Sequence, residues 1–162
     1  MNKLNYMGIG PKIGGILLPW LGLVIFLTLR YESSFNYIKN GNKILFFFGI
    51  ALLGIGSIMY LITGSKLLKG LKKTKLMTSG TYYLCCNPLY ASIILLIIPG
   101  LSLLMNSWLI LSASIIGFLL FKLFIKSEYA EMEKFFGNDY RKYRAETPEF
   151  FPFPIKKWFS SL

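Results

Sequence analysis

The chain has 162 residues, of which 54% are hydrophobic and only 15% charged. A water-soluble domain carries about 45–50% apolar residues and roughly 25% charge, so the composition excludes an ordinary soluble fold and indicates a membrane protein. The chain contains no histidine and two cysteines, which excludes a structural zinc site needing four Cys or His ligands.

Four apolar runs follow in chain order. They are "IGGILLPWLGLVIFLTL" (13–29), "ILFFFGIALLGIGSIMYLITG" (44–64), "LYASIILLIIPGLSLLM" (89–105) and "WLILSASIIGFLLFKLFI" (108–125). A helix crossing the hydrocarbon layer needs about 20 mostly apolar residues, and no run contains Asp or Glu. Lys122, near the end of the last run, can reach the interface by snorkelling. The first run contains Pro19 but lacks the small-residue cleavage site of a signal peptide. Only Asn106 and Ser107 separate the last two, which predicts a tight helical hairpin. The expected fold is all-α: a polytopic membrane protein of four transmembrane helices in one domain spanning 1–162, with a helical, proline-rich cytosolic cap over 127–162.

Basic residues collect in cytoplasmic loops. Lys and Arg number two before the first run, three in the first loop, five in the second, none in the third and eight from Lys122 onward. Placing both termini in the cytoplasm puts fifteen inside and three outside. The net charge of +11 then reads as membrane topology plus attraction to anionic headgroups. Nucleic-acid binding is the other reading of such a charge, but no recognition motif accompanies the flanking lysines.

Between the second and third runs lies "GTYYLCCNPLY" (80–90). Cys85 and Cys86 are adjacent, so an ordinary disulfide between them would be strained, and unpaired thiols agree with a reducing compartment. Pro88 suits a first helical turn, where its missing N–H costs nothing.

Continued beyond the membrane, the fourth helix would carry Phe121, Phe124, Ile125, Met132 and Phe135 as one apolar stripe with Glu128 in its middle. A carboxylate on a buried face must be hydrogen-bonded or paired, and an ionisable group at membrane depth is a functional candidate. Snorkelling to water at the helix exit is the alternative. Farther on, Gly137 can break the helix, Asn138 or Asp139 can cap a new one, and Tyr140, Tyr143 and Arg144 would share its face. Pro148, Pro152 and Pro154 forbid regular helix thereafter. These aromatics would either anchor the interface or wall a pocket at the membrane surface.

"LMTSGTYYLCCNPLY", a helical hairpin and "SEYAEMEKFFGNDYRKYRAETPEFFPF" together resemble the isoprenylcysteine carboxyl methyltransferase and phospholipid methyltransferase superfamily of integral membrane enzymes. Its pattern is G-x-Y, R-H-P-x-Y, a hairpin of two spans, E-E, F-G-x-x-Y-x-x-Y and a proline-rich end. Gly80, Tyr82, Pro88, Tyr90, Glu128, Phe136, Gly137, Tyr140, Tyr143, Pro148 and Pro152 stand at matching positions, so the resemblance covers about 44–154. Cys86 and Asn87 replace the Arg-His pair, Asn87 as in an R-N-P variant of prokaryotic relatives, and Tyr129 replaces the second glutamate.

The resemblance implies an S-adenosylmethionine-dependent methyltransferase in a prokaryotic cell membrane. Gly80, Tyr82, Asn87, Pro88, Tyr90 and Glu128 would hold the donor, with Glu128 also the candidate catalytic group. Arg141 and Arg144 would face the acceptor, a lipid or small amphiphile. Cys86 in place of Arg removes a fixed positive charge from the donor's carboxylate. Two other readings are a non-catalytic scaffold of the same fold and an NADPH enzyme resembling the sterol reductases.

Overall fold

The structure, a computed structural model, describes residues 8–31, 34–39, 42–73 and 75–151. The expectations for Lys3, for Pro152 and Pro154, and for the rest of the cap to residue 162 lie outside the described residues. Those described form helices and no strand. The helices are α1 (Gly10–Arg30), α2 (Lys43–Lys73), α3 (Thr81–Leu84), α4 (Pro88–Leu104), α5 (Trp108–Phe136) and α6 (Asn138–Glu146). Residues Ser92–Ile97 of α4 are wound as a π-helix.

Three helices are long and apolar enough to cross a membrane: α1 with 21 residues, the first 28 residues of α2 (Lys43–Gly70), and α5 with 29. At about 1.5 Å per residue, even α1 reaches the roughly 30 Å of a hydrocarbon core. Their outward faces carry Phe26, Leu29, Phe47, Ile55, Leu61, Ile115, Leu119 and Leu123, all exposed. Burying such a surface in lipid is favourable and exposing it to water is not. These three helices mark the chain as an integral membrane protein. The run at 89–105 forms the shorter α4, so of the four spans expected from the sequence three are long enough to cross.

α4 and α5 form the central pair, α1 packs on α5, and α2 packs on α4. The α2–α4 contact is made by glycines. A Cβ on Gly49 would lie 2.9 Å from Gly100 O, and one on Gly100 would lie 2.9 Å from Leu53 N. Small residues let membrane helices approach until dispersion and backbone contacts hold them. On α5 the buried residues are Ile110, Ala113, Gly117, Phe121, Ile125 and Tyr129, at three- and four-residue spacing. The expected stripe therefore holds at Phe121, Phe124, Ile125 and Met132 but fails at Phe135. Phe135 is exposed while Tyr129 is 6% exposed, because the 3.6-residue period carries the buried line onto Tyr129 and away from Phe135.

Gly137, at φ +57°, ends α5 and precedes α6 directly. Neither Asn138 nor Asp139 caps α6 through its side chain, contrary to expectation; both already lie inside the helix. As expected, Pro88 occupies the first turn of α4.

The helices define two ends of the bundle. At the turn end, Thr28 of α1 meets Ser107 (2.8 Å between hydroxyls), and Tyr37 meets Ser102 (2.7 Å). Segment 35–38 is bonded to the 106–108 turn by Tyr37 N–H to Asn106 O and Trp108 N–H to Phe35 O, both 3.1 Å. The other end gathers the start of α1, the 80–90 segment, the end of α5 and α6.

Candidate functional site

Three of the sequence candidates meet at this second end. Glu128 is carried there by α5, one turn beyond the fully buried Phe121–Ile125 pair, on the side facing α1 and α4. Its Oε2 accepts the Ile9 N–H (3.1 Å) and, at 3.4 Å, the Tyr90 O–H. No described residue donates to Oε1. Tyr90 lies in the first turn of α4, its ring 5.6 Å from that of Phe121, so packing against the α5 core aims its hydroxyl at Glu128. Tyr82 is half-buried near the same carboxylate. Burial first, and the negative charge of Glu128 second, raise its phenol far above the ordinary range, so it is neutral at any physiological pH.

Asn87 and Pro88 form a second group, adjacent through the chain. Asn87 precedes α4 but does not cap it. Its amide donates instead to Tyr129 Oη (2.6 Å) and to Glu149 O (2.8 Å). The Tyr129 hydroxyl in turn donates to Glu149 Oε1 (3.2 Å), and Glu149 is ion-paired with Lys122 on its outer side. The Cys86 N–H donates to Pro148 O at 2.8 Å. The 147–149 segment is thereby laced onto the start of α4, a role the proline count alone did not reveal.

Tyr129, which stands where the resembled pattern has its second glutamate, is the hub of this group. The Arg144 guanidinium lies over its ring at 3.8 Å and 5.9 Å from that of Tyr140. Tyr140 and Tyr143 are buried on the inner face of α6, and Tyr143 donates to Tyr82 O at 2.6 Å. Tyr140, Tyr143 and Arg144 thus share a face as expected. Burial raises both tyrosines well above their ordinary range. Arg141 points elsewhere and is ion-paired with Glu133 on the surface. The two arginines, expected to act together, have different partners.

Gly80 precedes α3 at φ +70°, and the Lys66 side chain fills the space a Cβ would need. Thr81, its neighbour, is fixed to α2 by a 2.9 Å hydroxyl contact with Thr63. Cys85 is fully buried, and burial pushes its thiol up to about 12. It is a packing residue. No group of three His, Cys, Asp or Glu side chains stands together among the described residues.

Residues that sequence reasoning missed are Ile9, Thr63, Tyr129 and Glu149. Tyr129 had a signal: it lies four residues beyond Ile125 on the buried stripe. Ile9 and Glu149 had none, since each acts through a backbone group or a partner distant in sequence. A scan against protein-family models, a search of curated proteins and a search of solved structures each found no match.

A methyl donor with an ammonium, a carboxylate and a sulfonium asks for an anionic acceptor and a cation. Glu128 Oε1, with no donor from the described residues, meets the first requirement. Lys66 at Gly80 and Arg144 on Tyr129, neither ion-paired with a described carboxylate, are the cations available for the second. The residues present fit the group.

Proposed function

We propose that the protein is an integral membrane methyltransferase using S-adenosylmethionine, with a lipid-like or small amphiphilic acceptor. The observation that carries this reading is the meeting of Glu128, Tyr90 and Tyr82 at one end of the bundle, beside the Asn87–Tyr129–Arg144 group. The resemblance in the 80–90 and 128–148 motifs supports it independently. In the same reading α4 is the fourth span, locally shortened, the 106–107 turn is extracytoplasmic, and both termini with the proline-rich cap are cytoplasmic. The basic residues flanking the helices support that orientation.

Glu128 would hold the donor's ammonium through Oε1, and Lys66 or Arg144 its carboxylate. The donor, when bound, supplies a methyl group on an already activated sulfur. The protein's task is to hold the acceptor in line and exclude water, which is worth about 7–11 kcal/mol as effective molarity. The apolar outer faces of the helices provide the lipid side of such an environment. Tyr82, Tyr140 and Tyr143 remain neutral and serve as hydrogen-bonding walls, not bases. Glu128 is then the one candidate base among these residues, and a carboxylate acceptor would need none.

A specific observation favours a second reading, a non-catalytic scaffold. Asn87, Tyr129 and Glu149 bond one another, and Glu128 Oε2 is bonded to Ile9 and Tyr90, as in a purely structural lock. Titration of S-adenosylhomocysteine into the protein in detergent separates the two. The enzyme reading expects saturable binding, weakened about ten- to a hundredfold by Glu128→Gln, as for a lost charge-assisted hydrogen bond. Glu131→Gln and Glu133→Gln should change it by less than about threefold, as expected for surface charges. No binding at millimolar ligand supports the scaffold. Reporter fusions at residue 106 and at the C-terminus should fall in opposite compartments; the same compartment would refute the fourth span.

A further inference from the structure

Glu128 meets α1 in an unusual way. The α1 N-cap residue, Ile9, has no side-chain cap, and no acidic residue occupies the first turn. The exposed N–H groups and positive dipole at a helix start ask for an anion, and Glu128, 119 residues away, supplies it through Oε2. The approach depends on Gly8. Its φ is +50°, and a Cβ there would lie 2.7 Å from Glu128 Oε2. Tyr90 donates to the same oxygen from the opposite helix. Both protein donors thus converge on Oε2, and the described residues leave Oε1 without one.

We propose that the Ile9 N–H and the Tyr90 O–H are positioning groups for Glu128. They clamp Oε2 so that Oε1 is the oxygen presented to a bound ammonium, and the Gly8–Ile9 segment is thereby a working part of the site. This rests on the reading of Glu128 as the donor's anchor. A carboxylate held at one oxygen is fixed in rotation before the ligand arrives, so less side-chain freedom is lost on binding.

The test is S-adenosylhomocysteine titration into the detergent-purified full chain, with thermal melting to verify folding. The variants are Gly8→Ala, Tyr90→Phe, Glu128→Asp and the double variant Gly8→Ala with Glu128→Asp. Gly8→Ala should weaken binding about tenfold, the loss of one hydrogen bond to a charged group. Tyr90→Phe should weaken it severalfold, consistent with its longer contact. Glu128→Asp withdraws the carboxylate by one methylene and makes room for the new Cβ, so the double variant should bind no worse than Glu128→Asp alone. Unchanged affinity in both Gly8→Ala and Tyr90→Phe overturns the proposal. Tighter binding by Gly8→Ala also overturns it, because the segment would then compete with the ligand. Additive losses in the double variant overturn it too, since backbone strain at residue 8 would be the cause. If Gly8→Ala fails to fold, Tyr90→Phe decides, as it leaves the backbone untouched. Absence of binding by the unaltered protein defeats the methyltransferase reading and this proposal together. Binding that none of the variants disturbs defeats the proposal alone.

Discussion

The turn end and the Glu128 end of the bundle are both laced by hydrogen bonds, but with different chemistry. At the turn end the participants are hydroxyls, amides and backbone carbonyls. Thr28, Ser102, Ser107, Tyr37 and Asn106 bond one another or the backbone, and Ser102 and Ser107 are fully buried. At the other end Glu128, Glu149, Lys122 and Arg144 join the tyrosines and Asn87. Neutral groups that satisfy each other hold helices together and offer nothing further. Charged groups at a membrane edge are expensive, and among the described residues Glu128 Oε1 has no donor and Arg144 no carboxylate partner. The first end is a clasp of neutral groups, the second a clasp that includes charged ones.

The largest break in this comparison should come from the helix contact that serves both ends. Gly100→Leu places side-chain atoms where Gly49 O and the Leu53 N–H now lie, and overpacking of this kind costs about 3 kcal/mol. Loss of most folded protein in detergent, seen as a strongly lowered melting temperature, is expected; a small shift would mean that α2 and α4 can separate without penalty. Next come matched truncations at the two ends. Asn87→Ala leaves Tyr129 Oη and Glu149 O without their donor, and Ser102→Ala leaves Ser107 O without its donor and the Tyr37 hydroxyl without its acceptor; each should destabilise by about 1–3 kcal/mol. Melting temperature should fall in both, whereas S-adenosylhomocysteine affinity should fall only for Asn87→Ala. Equal effects on affinity would erase the distinction between the ends. The smallest effect concerns Cys85: with its thiol pushed up to about 12, it should stay unalkylated by iodoacetamide at pH 8 while the protein is folded, since the thiolate is the nucleophile. Rapid labelling would show that the 80–90 segment opens.

Much of the architecture is legible in the sequence because it follows from short periods. Apolar runs announce the long helices, Pro88 announces the start of α4, Gly137 the break between α5 and α6, and three- and four-residue spacing places Glu128 beside buried residues. What escapes is pairing across the chain. Tyr129 looks like a lost glutamate until its hydroxyl is seen between Asn87 and Glu149, 42 and 20 residues away. Ile9 contributes a backbone N–H, which every non-proline residue possesses, so no residue type marks it. The π-helical stretch Ser92–Ile97 is also silent, because "SIILLI" satisfies an α-helix equally well.

The bond from Ile9 to Glu128 has a consequence for biosynthesis. Ribosomes add about 5–20 residues per second, so the acceptor for the first turn of α1 is made roughly 6–24 s after the turn itself. Until residue 128 is made, the first turn of α1 lacks the carboxylate that accepts the Ile9 N–H. The bond between the two can form only after that. A nascent chain stopped short of residue 128 should therefore contain an inserted but unanchored first helix, the form most exposed to membrane quality control.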